Sequence, residues 1–187
     1  MTLGELLGQT TKLLEEYTAT ASLNYADDSD IRAKIIDAVN TCIGEVSRVR
    51  AIVKRMTYTN DEEYHDLPSG FKSIKGVFLD AEATGDYSQT GNYDIFNGQI
   101  KVTGDGAVAV EYEAYPTKYT EETAKATELE LDAEACEVLH YGVAKIVLMI
   151  TGQGNDATEC ENKYYTLLQQ LKPTVGARLK IHSIFGS

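Results

Sequence analysis

Val110-Glu-Tyr-Glu-Ala-Tyr-Pro116 decides how this chain is organised. Val108, Val110, Tyr112 and Ala114 alternate with Glu111 and Glu113, the period-two pattern of a strand with one buried face. Residues 117–130, rich in Thr and Glu, come next without an apolar period before Leu129 and read as an extended surface connector. Asp132 then starts a helix carrying Cys136, Leu139, Val143, Ile146, Val147 and Ile150. The strand is therefore the last of a β-rich insert, and the chain beyond the connector is helical.

Ahead of that strand the same chemistry repeats. Met56-Thr-Tyr-Thr59 is rich in β-formers, Leu67-Pro68-Ser-Gly70 is a turn, and Phe71, Ile74, Val77 and Leu79 mark another strand. Gly85 to Gly91 suits a loop. Tyr93-Asp-Ile-Phe96, Asn97-Gly98 and Gln99-Ile-Lys-Val102 spell a hairpin, and Gly104-Asp-Gly106 is a further turn. The expectation is one antiparallel sheet of four or five strands. Around it lie four helices. Leu3, Leu6, Leu7, Leu13 and Leu14 pattern the first, over residues 2–17, although Gly4 and Gly8 weaken it. Residues 18–27 read as a loop. Asp28-Ser29-Asp30 starts the second, where Ile31, Ile35, Val39, Cys42, Val46, Val49 and Val53 predict a helix running to Val53 or Arg55. Arg48, Arg50, Lys54 and Arg55 suit the negative end of such a helix, or else form a basic contact patch. The third helix, near-continuously apolar in its C-terminal half, implies burial on more than one side. After Gly152 and Gly154, Asn155 or Asp156 caps the fourth, whose Ala157, Cys160, Tyr164, Leu167, Leu168 and Leu171 face inward until Pro173 stops it. The fold class is α+β: a four-helix core (residues 1–55 and 131–172), an antiparallel β-sheet inserted between helices 2 and 3 (56–116, with connector 117–130), and an extended tail (173–187).

The totals narrow the function. A chain of 187 residues fits one domain, or one domain with an insert. Its net charge of −12 argues against binding nucleic acid by neutralising phosphates, although an acidic wall can let DNA slide past. Cys42, Cys136 and Cys160 are odd in number and sit in apolar helical registers, which points to free buried thiols in a reducing compartment. Met1-Thr-Leu-Gly-Glu-Leu-Leu7 lacks the basic region and apolar run of a signal peptide, and Ile146–Ile150 is far too short to span a bilayer. The expectation is a cytoplasmic protein with no membrane partner.

No catalytic or metal-binding residue is expected, and no cofactor. His65 lies in an acidic loop beside Glu62, Glu63 and Asp66, where a metal site is conceivable but a solvated charged loop is favoured. His140 reads as a surface or interface residue, and His182 falls in the tail; no HExxH pattern joins any two. Asp27, Asp28 and Asp30 resemble the start of a calcium loop but lack its spaced Gly and final Glu, so helix capping is favoured. Tyr58, Tyr64, Tyr87, Tyr93, Tyr112, Tyr115 and Tyr119 crowd the insert, as an interface or as ordinary sheet composition.

The order of elements resembles the head–tail adaptor (head-completion, connector) proteins of tailed bacteriophages. The likeness spans residues 2–171. Its carriers are the Leu67-Pro68 turn leading into Phe71-Lys-Ser-Ile-Lys-Gly-Val77, the Val110–Pro116 strand end, and the acidic stretch to Leu129-Glu-Leu-Asp132. Tyr141-Gly-Val-Ala-Lys-Ile-Val147, Tyr164-Tyr165 and Leu167-Leu168 complete it. The resemblance implies a virion protein at the head–tail junction, present in the host cytoplasm before assembly. It implies a ring, typically dodecameric, beneath the portal protein. That ring extends the DNA channel, holds DNA without specific binding, and offers a platform to the next tail or neck protein. No catalytic residues come with the family. Two other classes compete: a small cytoplasmic ligand-binding or regulatory domain, which needs a deep apolar pocket, and a hydrolase, which needs clustered carboxylates with a metal.

The tail is the expected partner contact. Leu179, Ile181 and Phe185 fall on one side of an extended strand, and Arg178, Lys180 and His182 on the other, with Ile184 breaking the alternation. Arg178, Leu179, Lys180, Ile181, Ile184 and Phe185 are the candidate partner-binding residues, docking by strand addition or groove insertion.

Overall fold

Four helices and seven strands form among residues 1–17, 29–61, 63–82 and 84–171, the parts described by this computed structural model. The fold is α+β. Helix α1 (Leu3–Tyr17) and helix α2 (Ser29–Val49) come first, the strands follow, and α3 (Ala133–Ile150) and α4 (Gly154–Gln170) close the described chain. The tail and residues 18–28 lie outside the described residues, and with them the loop at 18–27, Asp27, Asp28 and every candidate tail contact.

Helix α1 begins with a reciprocal cap. The Thr2 amide donates to Glu5 Oε2 (2.7 Å) and the Glu5 amide to Thr2 Oγ1 (3.2 Å). Leu3, Leu6 and Leu14 are buried. Gly4 is more than a weak helix residue. The Gly4 amide donates to Lys125 O at 2.8 Å, and a Cβ on Gly4 would sit 2.9 Å from that oxygen. The connector is thus strapped against the start of α1, with further bonds from Leu3 N to Thr127 O and from Leu129 N to Met1 O. Tyr119 and Leu129 are buried along it, so it contributes to the core.

Helix α2 ends at Val49, short of the expected Val53 or Arg55, and strand β1 (Ile52–Asn60) starts three residues later. Val49 and Val53 fit a helical period, but Ile52, Lys54, Met56 and Tyr58 also fit a period of two. Long-range pairing decides, because β1 is in register with strand β7 (Gly106–Ala114) from Ile52↔Ala114 to Asn60↔Gly106. Arg48 sits in the last turn of α2 as expected, but the other three basic residues take other partners. Arg50 binds Asp132 and Glu134, Lys54 Nζ lies 2.6 Å from Glu130, and Arg55 lies over the Tyr87 ring at 4.9 Å.

The insert holds two antiparallel sheets where one was expected. Strands β3 (Phe71–Asp80) and β4 (Ser88–Gln89) join β1 and β7 in the order β1-β7-β3-β4. Strands β2 (His65–Asp66), β5 (Tyr93–Phe96) and β6 (Gln99–Val102) form the second sheet, ordered β2-β6-β5. Ile100 and Val102 pack against Val77, Val108 and Val110 in a core of their own. That contact folds the hairpin over the first sheet, and the Asn60 amide fixes it by donating to Val102 O and Gly104 O. Asn97 (φ 49°) and Gly98 (φ 77°) make the expected hairpin turn.

Asp132 caps α3 as expected, accepting from the Ala135 amide at 2.9 Å. Helix α3 is central: α1, α2 and α4 all pack on it. Helix α4 departs from expectation at its start. Gln153 is the capping position and makes no side-chain bond, while Asn155 and Asp156 fall inside the first turn. Ile35, Val39, Val46, Leu139 and Val143 are buried, whereas Ile146 and Leu167 are only partly so.

Candidate interaction surface

Every residue of β5 is exposed, although three of the four are large and apolar. Tyr93 is 38% exposed, Ile95 45% and Phe96 67%. The cause is position. In the second sheet β6 takes the buried place, and β5 is an edge strand whose other side meets no strand among the described residues. Such an edge presents unpaired backbone donors and acceptors to a partner chain.

The pairing register assigns its faces. Ile95 lies opposite Ile100 and Tyr93 opposite Val102, so both share the face that packs inward. Asp94 lies opposite Lys101 and Phe96 opposite Gln99, on the outer face. Tyr64 stands on that face too: its hydroxyl donates to Asp94 Oδ2 at 2.8 Å, and its ring centroid is 6.4 Å from that of Phe96. Asp66 accepts from Gln99 Nε2 at 2.8 Å. A shallow groove of mixed character beside the strand, between the two sheets, is lined by Ile74, Lys75, Val77, Gln89, Thr90 and Tyr93. The edge therefore offers Tyr93 and Ile95 on its inner side, and on its solvent side an aromatic face where Asp94 stands opposite Lys101.

Elsewhere the side chains read as structural. His65 Nε2 is 2.8 Å from Asp61 Oδ1, and its ring stacks on Tyr58 at 4.0 Å. No cluster of three His, Cys, Asp or Glu residues suited to a metal occurs among the described residues. His140 is half-buried beside Gln9, Lys12, Leu13 and Glu16 of α1, more enclosed than a surface histidine, with Nδ1 buried and unpartnered. Burial lowers its pKa, against an opposing pull from Glu137. Cys42, Cys136 and Cys160 are free and buried, and burial pushes the Cys42 thiol up to about 12, leaving it a neutral packing group. Lys145, 7% exposed, lies over the rings of Tyr164 and Tyr165 at 5.1 and 4.8 Å, with Glu161 3.8 Å away. The Tyr164 hydroxyl donates to Glu45 at 2.9 Å, so this polar set ties α2, α3 and α4 together.

Of the tyrosines in the insert, Tyr112 and Tyr119 are core, whereas Tyr64, Tyr93 and Tyr115 are exposed. The sequence pattern marks the hairpin but not that its first strand is an edge. The available signal is Tyr93-Asp-Ile-Phe96 itself, apolar on both faces of a short strand. No protein-family model matches this chain, and no curated protein matches it. No described helix is long and apolar enough to cross a membrane.

Proposed function

We propose that this protein is a structural adaptor of a tailed-phage virion, forming a ring beneath the portal protein at the head–tail junction. The observation that carries the reading is the exposed edge of β5, a preformed surface for another protein chain on an insert mounted on a helical body. The resemblance in element order supplies the kind of assembly. A net charge of −12 suits a channel wall along which DNA moves without being gripped. Portal on one side and a tail or neck component on the other are the partners, and no step of chemistry is assigned to the chain.

The test is attachment. Purified protein is incubated with portal-bearing capsids that lack tails, and the capsids are recovered by sedimentation. The expected result is stoichiometric recovery of the protein at the portal vertex, visible as an added ring by electron microscopy. Equal recovery on capsids without portal, or none on either, sinks the proposal.

A further inference from the structure

We infer that the free edge of β5 receives, as an added antiparallel strand, residues 178–181 of a second copy of this chain. The inference deepens the ring proposal and rests on it for the occupant being another copy. Three observations lead to it. The β5 edge is unpaired among the described residues and exposes large apolar side chains. Its two faces differ, one apolar through Tyr93 and Ile95, the other carrying Asp94 and Phe96. Residues 173–187 carry Arg178 and Lys180 and no acidic side chain, in a chain whose net charge is −12.

One register satisfies all four positions. Residues directly opposite in an antiparallel ladder share a face. Setting Leu179 against Ile95 brings Ile181 to Tyr93, apolar to apolar, beside the groove lined by Ile74 and Val77. The same register brings Lys180 to Asp94, cation to carboxylate. It also brings Arg178 to Phe96, where a guanidinium can lie over the exposed ring. A slip of one residue would set Lys180 against Ile95 and Ile181 against Asp94, burying a cation on the apolar face and losing the charge match. A free edge and a strand-forming segment at different places on one chain make a heterologous contact. Repeated from copy to copy, such a contact closes into a ring when the rotation allows. Leu171, buried in the helical core, anchors the segment. Six residues separate it from Arg178, a span of about 20 Å when extended, so the contact depends on how closely two copies approach.

Cysteine pairing in the full-length protein tests the register. The native thiols are buried, so new surface cysteines react alone. Chains bearing Ile95→Cys are mixed with chains bearing Leu179→Cys under a mild oxidant, and linked chains are mapped by mass spectrometry. The expected product is a disulfide between two chains, at a yield several-fold above that with Lys180→Cys in place of Leu179→Cys. Equal yields from the two tail positions overturn the inference, as does the absence of a link. A chain carrying both Ile95→Cys and Leu179→Cys that closes only on itself at every concentration also overturns it, because the occupant is then its own tail. Attachment of wild-type protein to portal-bearing capsids is scored separately. Attachment without the link removes the strand addition and leaves the adaptor reading; the link without attachment does the reverse.

Discussion

Gly142 sits where three helices touch. A Cβ there would lie 2.7 Å from the Tyr164 ring and 2.9 Å from Cys42 Sγ, and both neighbours are fully buried. The ring cannot swing aside without moving the hydroxyl bonded to Glu45. Helix propensity alone favours alanine over glycine by about 1 kcal/mol. Overpacking a rigid core costs about 1–3 kcal/mol, and the second effect should win. Gly142→Ala is therefore expected to lower the urea midpoint, and a rise would mean that the helices are not this close. Nothing in the sequence distinguishes this glycine from Gly8, where an added Cβ would meet no other part of the fold within 4 Å. Both interrupt a helical pattern, and only the neighbours, which come from distant stretches, tell them apart.

Among the elements, α3 starts on a cap that it shares with the end of α2. Asp132 accepts from the Ala135 amide and binds Arg50 from the end of α2, so one carboxylate joins two helix termini. Partial burial pushes its pKa up, but the Ala135 amide and the Arg50 guanidinium outweigh that and hold it below its ordinary value of 3.8. A carboxyl with a depressed folded pKa adds stability above its unfolded pKa and loses it as pH falls through the folded one. Asp132→Ala should cost about 1 kcal/mol at pH 7, the usual worth of an N-cap, and the gap from wild type should shrink below pH 4. A gap that stays constant down to pH 2 would show that the carboxylate charge plays no part. This cap was legible because side chain and partner are local in sequence, and the Asn97-Gly98 turn was legible for the same reason. The end of α2 was not, since Val49 and Val53 continue the helical period while Ile52, Met56 and Tyr58 fit a period of two, and only pairing with β7 decides between them. The division into two sheets was hidden as well. Alternation at Ile100 and Val102 shows that one face is covered without saying by what. The edge position of β5 was lost in the same way, because an apolar strand reads alike at the centre and at the rim of a sheet.

The whole molecule carries −12, and copies brought side by side repel one another. At 0.1 M salt the screening length is about 10 Å, so repulsion between bodies fades while short pairs at a contact survive in part. Light scattering should therefore show mainly monomer at low salt and larger species as salt is raised to moderate levels. A salt-independent twofold dimer would count against a ring. The arrangement of the helices around α3 has a consequence for how the protein is made. On the ribosome α1 and α2 emerge before α3, yet the surface both must cover is some hundred residues further along the chain. The strands between them can pair as soon as β7 is out, since each partner is already present. Loop closure over so long a stretch is entropically slow, and the first two helices must wait with their apolar faces unmatched until α3 leaves the exit tunnel. The two helices synthesised ahead of the inserted sheets are thus expected to settle after them, because the sheets find all their partners before α3 is out.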